Sequence, residues 1–345
     1  VKSILFALAL LFALNASLAA QSPGPWLVLP TENHALFSRN PENFYMFVER
    51  DFEGKKTRPW EGGMFGFTRS PRREGGQIVF TRFHEGIDIR PVRRNPAGEP
   101  LDPVAASANG VVVHVANDPG TSNYGRYVVV QHDMGGSPYF TLYAHLGPVR
   151  VKPGQVVRQG EELATLGYTG RGINRERAHL HFEFCMMVNR NFSAWFDHYL
   201  AGNTNHHGNY NGMNLLGMDP VGLLKSVRAN PALTVPEFVR SLRPLFSIAV
   251  PDSRHFDLPR LYPWLMTSPG SNAPIWRVTF SDAFIPMRID PETDPGGPVV
   301  RWLADGRVAL AHQSRGLVSG TPSNPRLTES GQRFAHLLTF PDNLP

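Results

Sequence analysis

Between residues 60 and 190 short apolar runs alternate with turn residues, at 110–117, 127–132, 139–145, 156–160 and 179–186. Side chains two apart on a strand share a face. In the last run His179, His181 and Glu183 therefore share one face, and Leu180, Phe182 and Phe184 the other. The aromatic face suits a core, which aims the polar face at a cleft. Around the first histidine, His84, Gly86 and Asp88 also share a face, with Ile87 and Ile89 opposite. That spacing would equally suit one side of a helix, but Gly86 and the β-branched neighbours favour an extended chain. Gly86 would let a substrate or another backbone come close. Gly135-Gly136-Ser137-Pro138 reads as the loop of a hairpin. The pattern predicts a mainly β domain, an antiparallel sheet with few helices.

Flanking stretches read differently. Residues 21–59 mix Pro, Asn and aromatic residues around one strand-like run at 44–49, and form a lead-in. Residues 191–230 are rich in Asn and Gly and read as a linker or lid. Residues 231–345 predict a smaller α+β region. Thr234 caps a helix over 237–245, strands follow at 276–280 and 299–303, and Asp305-Gly306 turns into a strand at 307–312. Thr328 caps a closing helix that runs to Leu338. Separate helix and hairpin signals suggest a separate small core, so a chain ending near residue 200 is expected to fold alone. At the other end, Lys2, the apolar run 4–14 and the small residues of Ser17-Leu18-Ala19-Ala20 predict a signal peptide over 1–20. It is too short for a confident membrane span. A secreted or periplasmic, envelope-associated protein is expected, with no stable membrane span after cleavage.

Composition changes this picture little. Hydrophobic residues make up 41% of the 345, enough for a proper core, and 31 Pro with 32 Gly favour short strands and turns over a helical bundle. A formal charge of +5 suits an anionic polymer or surface. No nucleic-acid motif or basic helix accompanies it, so no nucleic-acid partner is expected. The single cysteine, Cys185, rules out an intrachain disulfide. It reads as a small buried hydrophobe, and more weakly as a nucleophile beside the histidines.

Chemistry concentrates in His84-Glu85-Gly86-Ile87-Asp88, Tyr143-Ala144-His145 and His179-Leu180-His181-Phe182-Glu183. A catalytic zinc wants three protein ligands and one open position. It also needs groups that are not ligands, to move protons and steady an oxyanion. Imidazole and carboxylate donors suit zinc. A lone histidine on a strand is usually structural, and His114 and His132 read that way. His206 and His207 lie in a solvated loop, while His255, His312 and His336 are scattered without partners at ligand spacing. Glu183 either orients an imidazole or sits solvated at the cleft edge.

His84-x-x-x-Asp88 followed by His179-x-His181 resembles the signature of the lysostaphin-like (LytM-type) zinc endopeptidases of bacterial cell walls. The flanks agree in order: Phe65-Gly66-Phe67-Thr68-Arg69, Pro103-Val104-Ala105-Ala106, Gly110-Val111-Val112, Gly125-Arg126-Tyr127, Leu142-Tyr143-Ala144-His145-Leu146, Val151-Lys152-Pro153-Gly154 and Leu166-Gly167-Tyr168-Thr169-Gly170. The resemblance spans roughly residues 60 to 190. It implies zinc ligands at His84, Asp88 and His181 and catalytic imidazoles at His145 and His179, with no statement of which is the base. It further implies a monomer that acts on peptidoglycan stem or cross-bridge peptides. Two rivals remain open: an inactive wall-binding module that activates another hydrolase, and a metallopeptidase for secreted proteins. Inactive relatives typically lack one or more zinc ligands, and none of the five positions is lost here.

Overall fold

Alternation of β-branched and aromatic residues builds a seven-stranded antiparallel sheet in the computed structural model, which describes residues 24–56, 62–294, 297, 299–304 and 310–340. The expected signal peptide and the Asp305-Gly306 turn lie outside those residues. A hairpin of β1 (Gly66–Glu74) and β2 (Gln77–His84) leads into the short β3 (Ile87–Ile89). The sheet itself runs β7 (Val156–Val157), β4 (Gly110–Ala116), β5 (Tyr127–Met134), β6 (Ser137–Ala144), β8 (Leu180–Met187) and β9 (Leu215–Met218), with β3 also paired to β8. Gly135 and Gly136 join β5 to β6 with φ of +65° and +75°, the left-handed pair that a two-residue hairpin turn requires.

Every residue of β8 is buried. One side of this strand pairs with β6 from His181 to Cys185. The other side is shared, its first half bonded to β3 and its second half to β9. Residues 191–230 thus hold α1 (Phe192–Tyr199), the sheet strand β9 and α2 (Pro220–Ala229). A chain ending near residue 200, expected from the sequence to fold alone, would lack β9, the partner of the second half of β8.

A second, four-stranded sheet runs β12 (Pro286–Glu292), β11 (Ile275–Ser281), β10 (Pro244–Pro251), β13 (Val300–Trp302). Before it, α3 (Val235–Arg240) starts on a complete Thr234–Glu237 capping box and stops short of the expected 245, because Pro244 opens β10. The closing helix α4 (Glu329–Thr339) is capped by Thr328, as expected. Residues 310–313 are helical where a strand was expected. The run at 44–49 forms no strand. Its backbone joins β3 only through Met46 N to Asp88 O (2.8 Å) and Arg90 N to Phe44 O (2.9 Å).

The two sheets share one hydrophobic cluster, which extends from Leu27 to Leu338. Polar ties cross between them. Met187 N donates to Tyr262 Oη (2.8 Å), Asn189 Nδ2 to Leu337 O (2.9 Å) and Trp195 Nε1 to Arg333 O (2.9 Å). Leaving such buried amides unpaired would cost free energy, so these contacts fix the sheets against each other.

Candidate metal centre

Each group of the centre is aimed by backbone. His84 ends β2, its Nδ1 2.8 Å from Met64 O. A carbonyl only accepts, so Nδ1 carries the hydrogen and Nε2 presents a lone pair. His84 and Asp88 do not sit on one strand, as the alternation suggested: a bend at Glu85-Gly86 separates β2 from β3. Gly86 is needed there because a Cβ would stand 2.4 Å from Phe182 O. The close approach that its position suggested is therefore to the backbone of β8. Asp88 and His181 then face each other in register across β3 and β8.

Three donor atoms converge. His84 Nε2 lies 3.0 Å from His181 Nδ1 and 3.1 Å from Asp88 Oδ1, and His181 Nδ1 lies 3.0 Å from Asp88 Oδ1. Ligand atoms around tetrahedral zinc stand roughly 3.3 Å apart, given zinc–donor lengths of about 2.0–2.1 Å. Residues, donor types and spacing fit a zinc ion. Glu183 is fully buried, and its Oε1 lies 2.8 Å from His181 Nε2. It therefore orients the imidazole and leaves Nδ1 free to coordinate. Glu183 also accepts from Tyr124 Oη (2.9 Å) and Cys185 Sγ (3.3 Å).

The charges respond to this crowding. Burial opposes ionisation of Asp88, but His84, His179 and a hydrogen bond from His181 outweigh it and hold the carboxyl well below its ordinary range. Burial also opposes charge on His181, yet the carboxylates of Asp88 and Glu183 raise it to about 9. Burial first, then the Glu183 carboxylate, push both the Tyr124 hydroxyl and the Cys185 thiol well above their ordinary values. Cys185 is a buried thiol and not a nucleophile, since only the thiolate attacks.

His145 and His179 face the same cleft. His145 follows β6 with φ of +61°, a left-handed conformation that turns it off the strand. Such strain is characteristic of functional positions. Its Nδ1 lies 2.9 Å from Thr169 O, and His179 Nδ1 lies 2.7 Å from Arg177 O. Both Nε2 atoms are thereby left as acceptors. The rings are 4.7 Å apart, and His179 Nε2 is 3.4 Å from Asp88 Oδ1. Burial, then neighbouring imidazoles, lower His145 well below its ordinary value; burial also lowers His179, against the pull of Asp88. Both are neutral bases near neutral pH.

Two arginines complete the centre, Arg69 from the flanking stretch 65–69 and Arg315 from a segment with no motif. Arg69 bonds Asp88 Oδ2 and donates to Gly62 O (2.8 Å). From the second sheet's side, Arg315 reaches Glu85 Oε1 at 2.5 Å and lies 4.5 Å over the Phe83 ring. Nothing in the sequence around residue 315 signals this contact. The other histidines stay apart: His132 Nδ1 and Nε2 meet Asn109 O and Thr141 Oγ1 (2.7 and 2.8 Å), and His114 packs on Tyr127. His207, expected in a solvated loop, packs on Tyr127 and lines the cleft. The cleft encloses about 860 Å³.

Residues 82–192 match peptidase family M23. The chain carries an M23 peptidase domain. This domain is 43% identical over 100 residues to the peptidoglycan DD-endopeptidase ShyA of Vibrio cholerae, covering 29% of this chain and 20% of that protein. It is 33% identical over 100 residues to the murein hydrolase activator NlpD of Escherichia coli, covering 29% of this chain and 22% of that one. The chain thus spans about a fifth of the length of these curated relatives. A zinc-containing peptidase from Vibrio cholerae, solved by crystallography, aligns over 41% of this chain and 35% of its own at 28% identity, with a TM-score of 0.25.

Proposed function

We propose that the chain is a zinc metalloendopeptidase that hydrolyses peptide cross-links of peptidoglycan outside the cytoplasm. The observation that carries this reading is the convergence of His84 Nε2, Asp88 Oδ1 and His181 Nδ1 beside two further imidazoles whose Nε2 atoms are free. The likeness to ShyA supports the substrate class. His84, Asp88 and His181 would hold zinc, which supplies Lewis acidity toward water and the scissile carbonyl.

The protein's own groups then divide the work. One of His145 and His179 takes a proton on Nε2 as the carbonyl is attacked. Because its Nδ1–H is already committed to a backbone carbonyl, that ring becomes a cation and can return the proton to the leaving amine. The other imidazole steadies the developing oxyanion when it too carries a proton on Nε2, because its Nδ1–H is likewise committed to a backbone carbonyl. Glu183 and Arg69 hold His181 and Asp88 in place. Among the described residues no helix is long and apolar enough to cross a membrane.

Incubating the zinc-loaded protein with intact wall sacculi and with casein tests the reading. Soluble muropeptides released from sacculi alone, and abolished by chelation, are expected. Release from casein alone would assign it to secreted proteins. Enhancement of an added wall hydrolase without cleavage would place it with activators such as NlpD.

A further inference from the structure

We propose that the cleft selects peptides with free carboxylates beside the scissile bond, using Arg82 on one wall and Arg171 and Arg177 on the other. The proposal rests on the endopeptidase reading and names the substrate chemistry of the same site.

The described acidic side chains that line the cleft are Glu85 and Asp88, and each already faces a guanidinium, Arg315 and Arg69 respectively. Arg82, Arg171 and Arg177 line the same cleft, and none of them pairs with a carboxylate among the described residues. Their placement is regular. Arg82 stands two residues before His84 on β2, so alternation puts both on one face. Arg177 stands two residues before His179 and gives its carbonyl to that ring. Its Nη1 donates to Gly172 O (2.8 Å), which fixes the loop that carries Arg171, while its Nε is buried without a partner.

A guanidinium forks two parallel N–H groups toward a carboxylate, and such charge-assisted pairs are the strong ones. Concave walls of one sign also raise the local concentration of an oppositely charged ligand. A bridge of uncharged residues such as oligoglycine offers these donors no carboxylate. A peptide with acidic side chains or a free α-carboxylate near the cut bond offers one to each wall.

The test compares two synthetic cross-link peptides of one sequence, one with free carboxylates and one with carboxamides, on the zinc-loaded full chain. The carboxylate form should show a kcat/KM higher by about tenfold or more, and added salt should shrink that ratio. Arg82→Gln, Arg171→Gln and Arg177→Gln should each lower the ratio. If Arg177→Gln misfolds, Arg171→Gln decides, since no hydrogen bond of the Arg171 side chain exists among the described residues. Equal rates for the two peptides, or a ratio untouched by all three substitutions, would overturn the proposal while leaving the peptidase reading intact. Cleavage of neither peptide would instead remove the peptidase reading. Calorimetric binding of the same two peptides then decides: tighter binding of the carboxylate form upholds the selection, and equal binding overturns it.

Discussion

At the mouth of the first sheet the donor atoms of His84, Asp88 and His181 lie within 3.1 Å of one another, whereas on the second sheet each oxygen of Glu292 meets a guanidinium. Both clusters bury polar groups among strands. In the second, Arg277 Nη2 and Arg301 Nη2 sit 2.6 Å from the two oxygens of one carboxylate, so the charges close on themselves. In the first, His84 Nε2, His181 Nδ1 and Asp88 Oδ1 converge on one spot, and the carboxylates of Asp88 and Glu183 hold the His181 value up. Buried charge that is matched inside the protein serves the fold. Buried acceptors left facing each other serve a ligand.

Breaking the first cluster should have the largest effect. His84→Ala and Asp88→Ala are each expected to lose zinc by elemental analysis and to lower wall digestion by more than about a thousandfold. Full zinc in both variants would remove the ligand assignment. His145→Ala and His179→Ala sharpen the contrast within the cleft. They should retain zinc yet lose roughly a hundred- to ten-thousandfold in rate, and parental digestion by either would make that ring structural. In the second cluster, Glu292→Ala should remove the carboxylate beside the buried Arg277 and cost about 1–3 kcal/mol of stability. Denaturant unfolding with parallel zinc analysis checks this, because zinc content should not change. Glu183→Gln probes the shell around the metal: a roughly ten- to hundredfold weaker zinc affinity is expected in competition with a chelator.

The smallest effect is a pH dependence away from both clusters. Burial first holds His132 down at about 4, against the help of Asn109 O. Its folded value lies below the ordinary 6.5, so the unfolded chain binds the extra proton between those two values. Stability should therefore fall as pH drops through that window, by about 2 kcal/mol between pH 7 and pH 5 for this residue. His132→Gln should flatten the slope in urea titrations at the two pH values, and an unchanged slope would shift the acid sensitivity elsewhere.

The strands of the first sheet were readable because their pattern is local: alternation placed His179, His181 and Glu183 on one face, and the two glycines marked the turn between β5 and β6. The motif residues were readable for the same reason. What escaped notice depends on contacts distant in the chain. β9 looks like part of a polar connection because only Leu215–Met218 carries an apolar signal, and its partner is β8. Strand β12 begins and nearly ends with proline, residues that argue against a strand interior, yet it lies at the edge of its sheet where a missing donor is tolerated. Arg315 and Tyr124 reach the centre from segments whose own sequence holds no motif. The fork between the two readings of Glu183 was settled by complete burial, which no spacing reveals.

The pairing of β3 with β8 also sets when the pocket can exist. His84 and Asp88 are four residues apart and can meet early, but His181 lies 93 residues beyond Asp88 and arrives only when the two strands zip. Closing so large a loop is slow relative to local structure. If these residues hold zinc as proposed, metal capture would be a late folding event that follows the closure of the sheet, with His84 and Asp88 alone brought together before it. The zinc supply that would matter is then the one met where the chain completes its sheet.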